Sequence, residues 1–582
     1  MAAVRTNGSR RAILAVGSIA AMFASLLFAT PAPAAVECST TPAVLPASQI
    51  HAGMTGTGLT TVQGSTPTSF NITVIGTLVD AVLPGRDLVI FEITGPQSFL
   101  DQAYGMFYGM SGSPIFINGQ LAGAASYRFS FSDAAIGLFT PAEDMVEIVR
   151  PAGPTPAMPT SVALTPAARR AVAAAGGVTA AEAPAIAQIL RTPLAVSGMS
   201  GAQIDELQAK LDDEGLPVDV VAAGRASAAL DPTPLQPGSP MGAAVSLGDV
   251  GWVGIGTTTF VCGSNVNVGW GHSFFFGGDS AMAMTDAEVV TILNDPSGIY
   301  GPGMIANAGD VHGTILEDRI SGIAGQAGGA PNPMAVTSDY TNADTGASRV
   351  GRTDVFYQED WWGPDVAWYH NYVNLLAVFD QYGDGTLDMG YTIEGVREDG
   401  TTPFAVTNSV LWSSPYDAFE GIYKMNSAMY SLAFNRFEDV TFTSVDTAGS
   451  VTQQRLEGEL VLVRTASDLQ PGLRTRSVQK VSAGETITVE VTLDPLEDGG
   501  DVKVVFEIRA GSGGGYADVK LRGGRERFWF NDRGIDSFEE LLDKLSGGEH
   551  ANEIVASGLG RVVFATDMMV TGKESFTVKV IR

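Results

Sequence analysis

Short apolar and β-branched runs, each closed by glycine or proline, recur from Val36 to the C-terminus and constrain the fold more than any other feature. Phe70–Val79 and Asp87–Ile93 are two such runs, and Thr486–Leu493 and Val502–Ile508 are two more near the end of the chain. With Gly 69 and Pro 30 in 582 residues, the chain is interrupted too often for long helices and reads as mainly β. Ile115–Ala125 reads as a hairpin with Asn118-Gly119 as its turn. Three capping patterns predict helix starts, at Thr140-Pro141-Ala142-Glu143, Ser200–Gln203 and Thr285–Glu288, and Ser537–Leu545 reads as an amphipathic helix.

A chain this long exceeds one hydrophobic core, so several modules are expected. The composition divides it into a signal segment over 1–35, a β-rich half over 36–150, and an Ala/Pro-rich linker with a small α/β insert over 151–235. A second β-rich half follows over 236–334. An aromatic-rich β module over 335–450 carries Trp361, Trp362 and Trp368 on strand-like alternation, and a β-sandwich-like module closes the chain over 451–582.

The first 35 residues have the form of an export signal. Arg5, Arg10 and Arg11 form a basic start, Ala12–Phe28 is apolar, and Ala32-Pro33-Ala34 fits a small-residue cleavage site. Ser9–Leu14 approximates a twin-arginine signal. No later stretch reaches spanning length, so the expected location is secreted or in the cell envelope, without a stable membrane span. Lys+Arg 34 against Asp+Glu 63 gives a net charge of −29, which repels nucleic acid and anionic lipid alike. Cys38 and Cys262 can pair in an oxidising compartment, and a count of two leaves that open.

"GMSG" occurs twice. The copy at Ser200 precedes Gln203, Ile204, Leu207 and Leu211 and reads as a capping box opening a helix. The copy at Ser111 has no helix to cap. Gly109-Met110 precede it and Gly112-Ser113-Pro114 follow, a setting that allows a tight turn with N–H groups converging on one oxygen. A serine nucleophile needs a base, and the chain has only His51, His272, His312, His370 and His550. His272 stands at the end of an apolar strand, in Gly269-Trp270-Gly271-His272-Ser273, where a rigid element can present an imidazole.

The segment Gly109-Met110-Ser111-Gly112-Ser113-Pro114-Ile115, with Asn118-Gly119 and Gly123-Ala124 after it, resembles the nucleophile segment of the stage IV sporulation protein B family of serine peptidases. Phe70–Ile75 and Leu88–Thr94 match the approach to it. Gly254–Phe260 followed by Gly271-His272 resembles that family's histidine segment. The resemblance covers roughly 50–145 and 238–330. It implies two chymotrypsin-like β-barrel halves with the site between them, Ser111 as nucleophile, His272 as general base, and the N–H groups of Gly109 and Ser111 as oxyanion hole.

Three departures stand out. The serine half precedes the histidine half, the reverse of the sporulation protein, although a triad is defined by geometry and not by chain order. No PDZ segment precedes the peptidase part. The family's aspartate falls at Gly95 or Pro96, so the third member is unassigned, with Asp279, Asp101 and Asp87 as candidates and Asp286 explained as a helix-cap acid. A backbone carbonyl or water could orient the imidazole instead. Asp380–Asp388 imitates a calcium loop, but Tyr382 and Tyr391 stand where oxygen ligands belong, and a hairpin turn at Asp384-Gly385 is the better account. No Cys/His cluster or phosphate-cradling loop is present, so no metal and no cofactor are expected.

Two functions follow as expectations. One is an exported serine endopeptidase acting on a protein or peptide substrate. The other is an inactive peptidase-fold scaffold that binds proteins at the envelope. Substrate specificity, oligomeric state and the role of the C-terminal modules are not written in the sequence.

Overall fold

The computed structural model describes Cys38 and residues 40–129, 135–149, 160–224, 234–263, 265–296, 301–497, 499–529 and 534–582. The signal segment and the Ala/Pro-rich stretches 150–159 and 225–233 lie outside the described residues.

The first half supplies strands β1 (Thr55–Thr60), β2 (Thr68–Leu83) and β3 (Arg86–Gly95), helix α1 (Gln97–Ala103), strands β4 (Pro114–Ile117), β5 (Gln120–Arg128) and β6 (Ile136–Pro141), and helix α2 (Ala142–Val146). The strands pair in the ring β1-β2-β3-β6-β5-β4, and β4 returns to β1, closing a barrel. Alternation along β2 explains one wall: Phe70, Ile72 and Val74 point inward while Asn71 is exposed. β4 and β5 form the hairpin expected around Asn118-Gly119. The Thr140 hydroxyl does not cap α2. It lies 2.8 Å from Ser126 Oγ and 2.7 Å from the Gly271 carbonyl, and Pro141 takes the cap position.

The insert is α/β. It contains β7 (Ser161–Ala163), α3 (Pro166–Ala175), β8 (Ile186–Ile189), β9 (Thr192–Ser197), α4 (Gly201–Asp213) and β10 (Val218–Ala222). β9 and β10 are parallel with α4 as the crossover between them.

The second half comprises β11 (Pro240–Gly248), β12 (Gly251–Cys262), β13 (Val266–Gly269), β14 (Gly278–Leu293), β15 (Gly303–Arg319) and β16 (Gly322–Ala327). These pair in the ring β11-β12-β13-β16-β15-β14 and back to β11, a second barrel. The fold is thus mainly β with two chymotrypsin-like barrel halves. One apolar cluster runs from Phe70, Phe91 and Phe139 to Val253, Ile255 and Met304, so the barrels share a core. The predicted helix start at Thr285–Glu288 is corrected: these residues lie inside β14, where Thr285 and Asp286 pair with β11 across a ladder. Pairing on both sides and the β-branched Val289-Val290-Thr291-Ile292 run outweigh a local cap.

Beyond residue 334 the same sheet continues through β17 (Met334–Asn342), β18 (Ser348–Val355), helix α5 (Trp362–Phe379), β19 (Gly385–Arg397), β20 (Pro403–Ser414), helix α6 (Ile422–Ala433) and β21 (Val440–Thr452), with β18 pairing to β11. The tryptophan segment is helical and not strand. α5 lies on β17 and β18 with α6 against it, and residues all around it are buried, which removes the one-sided periodicity that marks a surface helix. Asp384-Gly385 is likewise no hairpin turn. Asp380 ends α5 in the left-handed region at φ 57°, and Gly385 opens β19, so the segment joins helix to strand. The remaining strands form a four-stranded and a five-stranded sheet around a separate cluster with Val489, Val491, Val519 and Val578. Helix α7 (Phe538–Leu545), N-capped by Ser537, instead packs on β20 and buries Phe538, Leu541 and Leu545 in the apolar cluster that also holds α5 and α6.

Cys38 and Cys262 form a disulfide with Cα atoms 5.4 Å apart and a sequence separation of 224. Closing so long a loop removes unfolded-state entropy worth about 5 kcal/mol in the chain-entropy model, with about 2–5 kcal/mol usual for native bridges. Reduction, or Cys262→Ser, is expected to lower the melting temperature and denaturation midpoint. Unchanged unfolding curves with and without reductant would contradict that.

Candidate active site

Ser111 sits on the loop between α1 and β4, and the second barrel holds that loop by its carbonyls. The Thr257 N–H donates to Ser111 O at 2.7 Å and its hydroxyl to Gly109 O at 3.0 Å, while the Thr259 hydroxyl donates to Gly112 O at 2.7 Å. Gly112 is required by this contact. Its φ is +95°, its N–H donates to Ala125 O at 2.8 Å, and a Cβ would lie 2.0 Å from Thr257 O and 2.3 Å from Trp270 N. The N–H groups of Gly109 and Ser111 donate to no acceptor among the described residues. Both residues are buried, and buried amides without partners are rare outside functional sites.

His272 follows the end of β13 after a turn. Trp270 is held at φ 72°, a conformation that costs a bulky residue of order 1–3 kcal/mol and must be imposed by its surroundings. Its indole N–H donates to Met241 O at 3.3 Å, and its ring covers Gly254 and Gly256, where a Cβ would approach ring atoms to 2.8 and 2.6 Å. That close approach explains the Gly-Ile-Gly of β12. The hydrogen bond from Thr140 to Gly271 O ties the turn to the first barrel.

The imidazole joins the two halves. His272 Nε2 lies 2.7 Å from Ser111 Oγ, and Nδ1 lies 2.7 Å from the carbonyl oxygen of Ser273. A carbonyl only accepts, so Nδ1 carries the proton and Nε2 presents a lone pair to the Ser111 hydroxyl. Ser111 is 2% exposed and His272 fully buried. Burial pushes the imidazole down to about 4, opposed by the bond to the Ser273 carbonyl, so the neutral base persists well below the ordinary histidine range.

None of the three candidate acids reaches this imidazole. Asp279 pairs with Arg319, Asp101 accepts from Gln97 Nε2 at 2.8 Å, and Asp87 accepts from the Asp80 N–H at 2.8 Å. Gly95 ends β3 and Pro96 precedes α1, so no carboxylate arises at either position. Asp286 faces His312 at 3.3 Å. Ser200 opens α4, and Gln203 Oε1 accepts from its N–H at 2.8 Å. His51 is exposed, and His550 lies 3.1 Å from Lys424 Nζ. A second serine–histidine contact exists between Ser338 and His370, 3.0 Å apart, with Thr353 on the other ring nitrogen. Ser338 lies in mid-strand in β17, where the neighbouring strands use its backbone, so this is a buried polar network with no converging amides. Among the described residues, no group of three His, Cys, Asp or Glu is placed to hold a metal ion.

Four residues around the pair were not assigned a part in it by the sequence reading. The Ser273 carbonyl has no side-chain signature. Thr257 and Thr259 were visible only as part of the Gly254–Phe260 segment that carries the resemblance. Asp318 of β15, 1% exposed, accepts from the N–H groups of Phe274 (2.7 Å), Phe275 (2.7 Å), Phe276 (2.8 Å) and Gly277 (3.4 Å), the turn that follows His272. Burial pushes its carboxyl up to about 6 against those four donors.

Two outcomes are expected. Gly112→Ala drives a Cβ into backbone on the opposite barrel and should destabilise by more than about 3 kcal/mol, read by denaturant unfolding. A midpoint shift of a few tenths of a molar would argue against so tight a junction. For His272, the folded group stays neutral to about 4 while the unfolded one protonates near 6.5, so its stabilising contribution is full above 6.5 and is lost as pH falls toward 4. His370, also lowered to about 4, acts in the same window. The unfolding free-energy difference between wild type and His272→Gln should therefore shrink on acidification, and a constant difference would mean the imidazole is not held neutral.

The model of the SpoIVB peptidase S55 family matches residues 28–146 of the chain. No curated protein and no solved structure matches it. The matched segment is the one that carries Ser111.

Proposed function

We propose that the protein is an exported serine endopeptidase that cleaves protein substrates through an acyl-enzyme on Ser111. The observation that carries this reading is the 2.7 Å approach of His272 Nε2 to Ser111 Oγ across two barrels, with Nδ1 held by a carbonyl. Ser111 Oγ attacks the scissile carbonyl while Nε2 takes its proton. The oxyanion forms against the N–H groups of Gly109 and Ser111. The imidazolium, steadied at Nδ1 by the Ser273 carbonyl, then protonates the leaving amine. Water, deprotonated by the same nitrogen, releases the acid product.

Both reacting groups are buried, so substrate has to part the segments above them. The Tyr108–Gly109 edge is paired with Pro302–Met304, through Tyr108 N–H to Pro302 O and Met304 N–H to Tyr108 O, each 2.9 Å. Export is supported by the basic start, apolar run and Ala32-Pro33-Ala34 of the N-terminus, and by a disulfide that suits an oxidising compartment.

A fluorophosphonate probe, which acylates activated serines, tests the assignment. Labelling should be lost in Ser111→Ala and His272→Ala and kept in Ser200→Ala. Labelling that survives in Ser111→Ala would place the nucleophile elsewhere, and a folded wild type that never labels would favour an inactive scaffold. Intact mass of the exported protein should begin after Ala34, and a retained N-terminus would contradict export by signal cleavage.

A further inference from the structure

We propose that Asp318 takes the place of the missing triad acid as a positioning residue, acting on His272 through the single peptide group between Ser273 and Phe274. The inference rests on the serine-peptidase reading. The carbonyl oxygen of that peptide accepts from His272 Nδ1 at 2.7 Å, and its N–H donates to Asp318 Oδ1 at 2.7 Å. The amide is a resonance unit. A carboxylate drawing on its N–H raises electron density on its oxygen, so the acceptor facing the imidazole strengthens. The continuous path is Asp318 carboxylate, peptide, imidazole and Ser111 hydroxyl, one peptide longer than a direct acid–histidine contact.

The carboxylate also fixes orientation. Its other oxygen accepts from Phe275 and Phe276, which winds the turn after His272 around Asp318 and aims the Ser273 carbonyl at Nδ1. Among the described residues Asp318 has no ion-pair partner, so backbone donors alone hold it. Its charged neighbours are engaged elsewhere: Arg319 with Glu317 and Asp279. Tyr357, from the segment after β18, lies close enough for the Asp318 charge to help hold its phenol up.

The test is Asp318→Asn in the full chain, a change that keeps shape but removes the charge and sets an amide donor against backbone donors. The maximal acylation rate by the fluorophosphonate should fall about 10–100-fold, as for other outer-shell partners, with the half-saturating probe concentration unchanged. Asp318→Glu should recover part of the rate. A variant with a lower melting temperature but the wild-type acylation rate and pH profile per folded molecule would reduce Asp318 to a structural role and overturn the proposal. Wild-type labelling that vanishes in Ser111→Ala and His272→Ala but persists in full in Asp318→Asn would sink this inference alone.

A second measurement needs no catalytic activity. In wild type with ¹⁵N-labelled histidine, His272 should carry its proton on Nδ1, and that resonance should move as Asp318 titrates near 6, before the imidazole itself titrates near 4. Glu317, whose carboxyl burial also raises, is the nearest confounder, so the movement should persist in Glu317→Gln. A proton on Nε2, or a resonance unmoved through that range, overturns the proposal whether or not the protein labels.

Discussion

The junction that organises the molecule is the grip of β12 on the loop carrying Ser111. Thr257 and Thr259 take the carbonyls of Gly109, Ser111 and Gly112, so three successive points of that loop are fixed by the opposite barrel. With its carbonyls committed, the loop leaves the Gly109 and Ser111 amides without an acceptor among the described residues. The same strand accommodates the Trp270 ring over Gly254 and Gly256, and that ring sets the turn presenting His272. One strand therefore places both halves of the serine–histidine pair. Any shift of β12 would move the hydroxyl and the imidazole together, which suits a contact whose tolerance is a few tenths of an ångström.

The electrostatics of the pair differ from those of a carboxylate-backed histidine. A carbonyl fixes the tautomer of His272 as well as a carboxylate does, but it brings only a partial charge. Complete burial then favours the neutral imidazole, and forming the imidazolium is correspondingly harder. In the proposed acylation that charge forms only transiently, so the compensation has to come from nearby dipoles and from whatever stands behind them. The N–H groups of Phe274–Gly277, ordered around the one buried carboxylate of Asp318, are an arrangement that suits that need.

Much of the architecture was legible in the sequence where one side of an element faces water. β2 alternates, the hairpin at Asn118-Gly119 carries its turn signal, α4 announces itself with a capping box, and α7 with an amphipathic pattern. α5 failed because it is enclosed. His370, Asn371 and Asn374 are buried polar residues on it, so neither polarity nor period reports which face is inside. Thr285–Glu288 failed for the opposite reason, a correct local cap pattern overridden by pairing on two sides. The contact between Ser111 and His272 could be anticipated because glycine-rich settings, a scarcity of histidine and the family resemblance narrow the choice. Ser273 acts through its backbone and Asp318 through other residues' amides, and neither mode leaves a residue-type pattern along the chain.

The bond between Cys38 and Cys262 has a consequence for how the molecule tolerates damage. Cys38 precedes the first barrel and Cys262 ends β12 of the second, so the first barrel, the insert and the start of the second barrel lie within one covalent circle. A single backbone cut anywhere in that circle, the insert included, opens a ring and releases nothing. The protein would become a two-chain molecule whose halves stay joined beside the strand that aligns them, and the site could outlast the continuity of its own polypeptide.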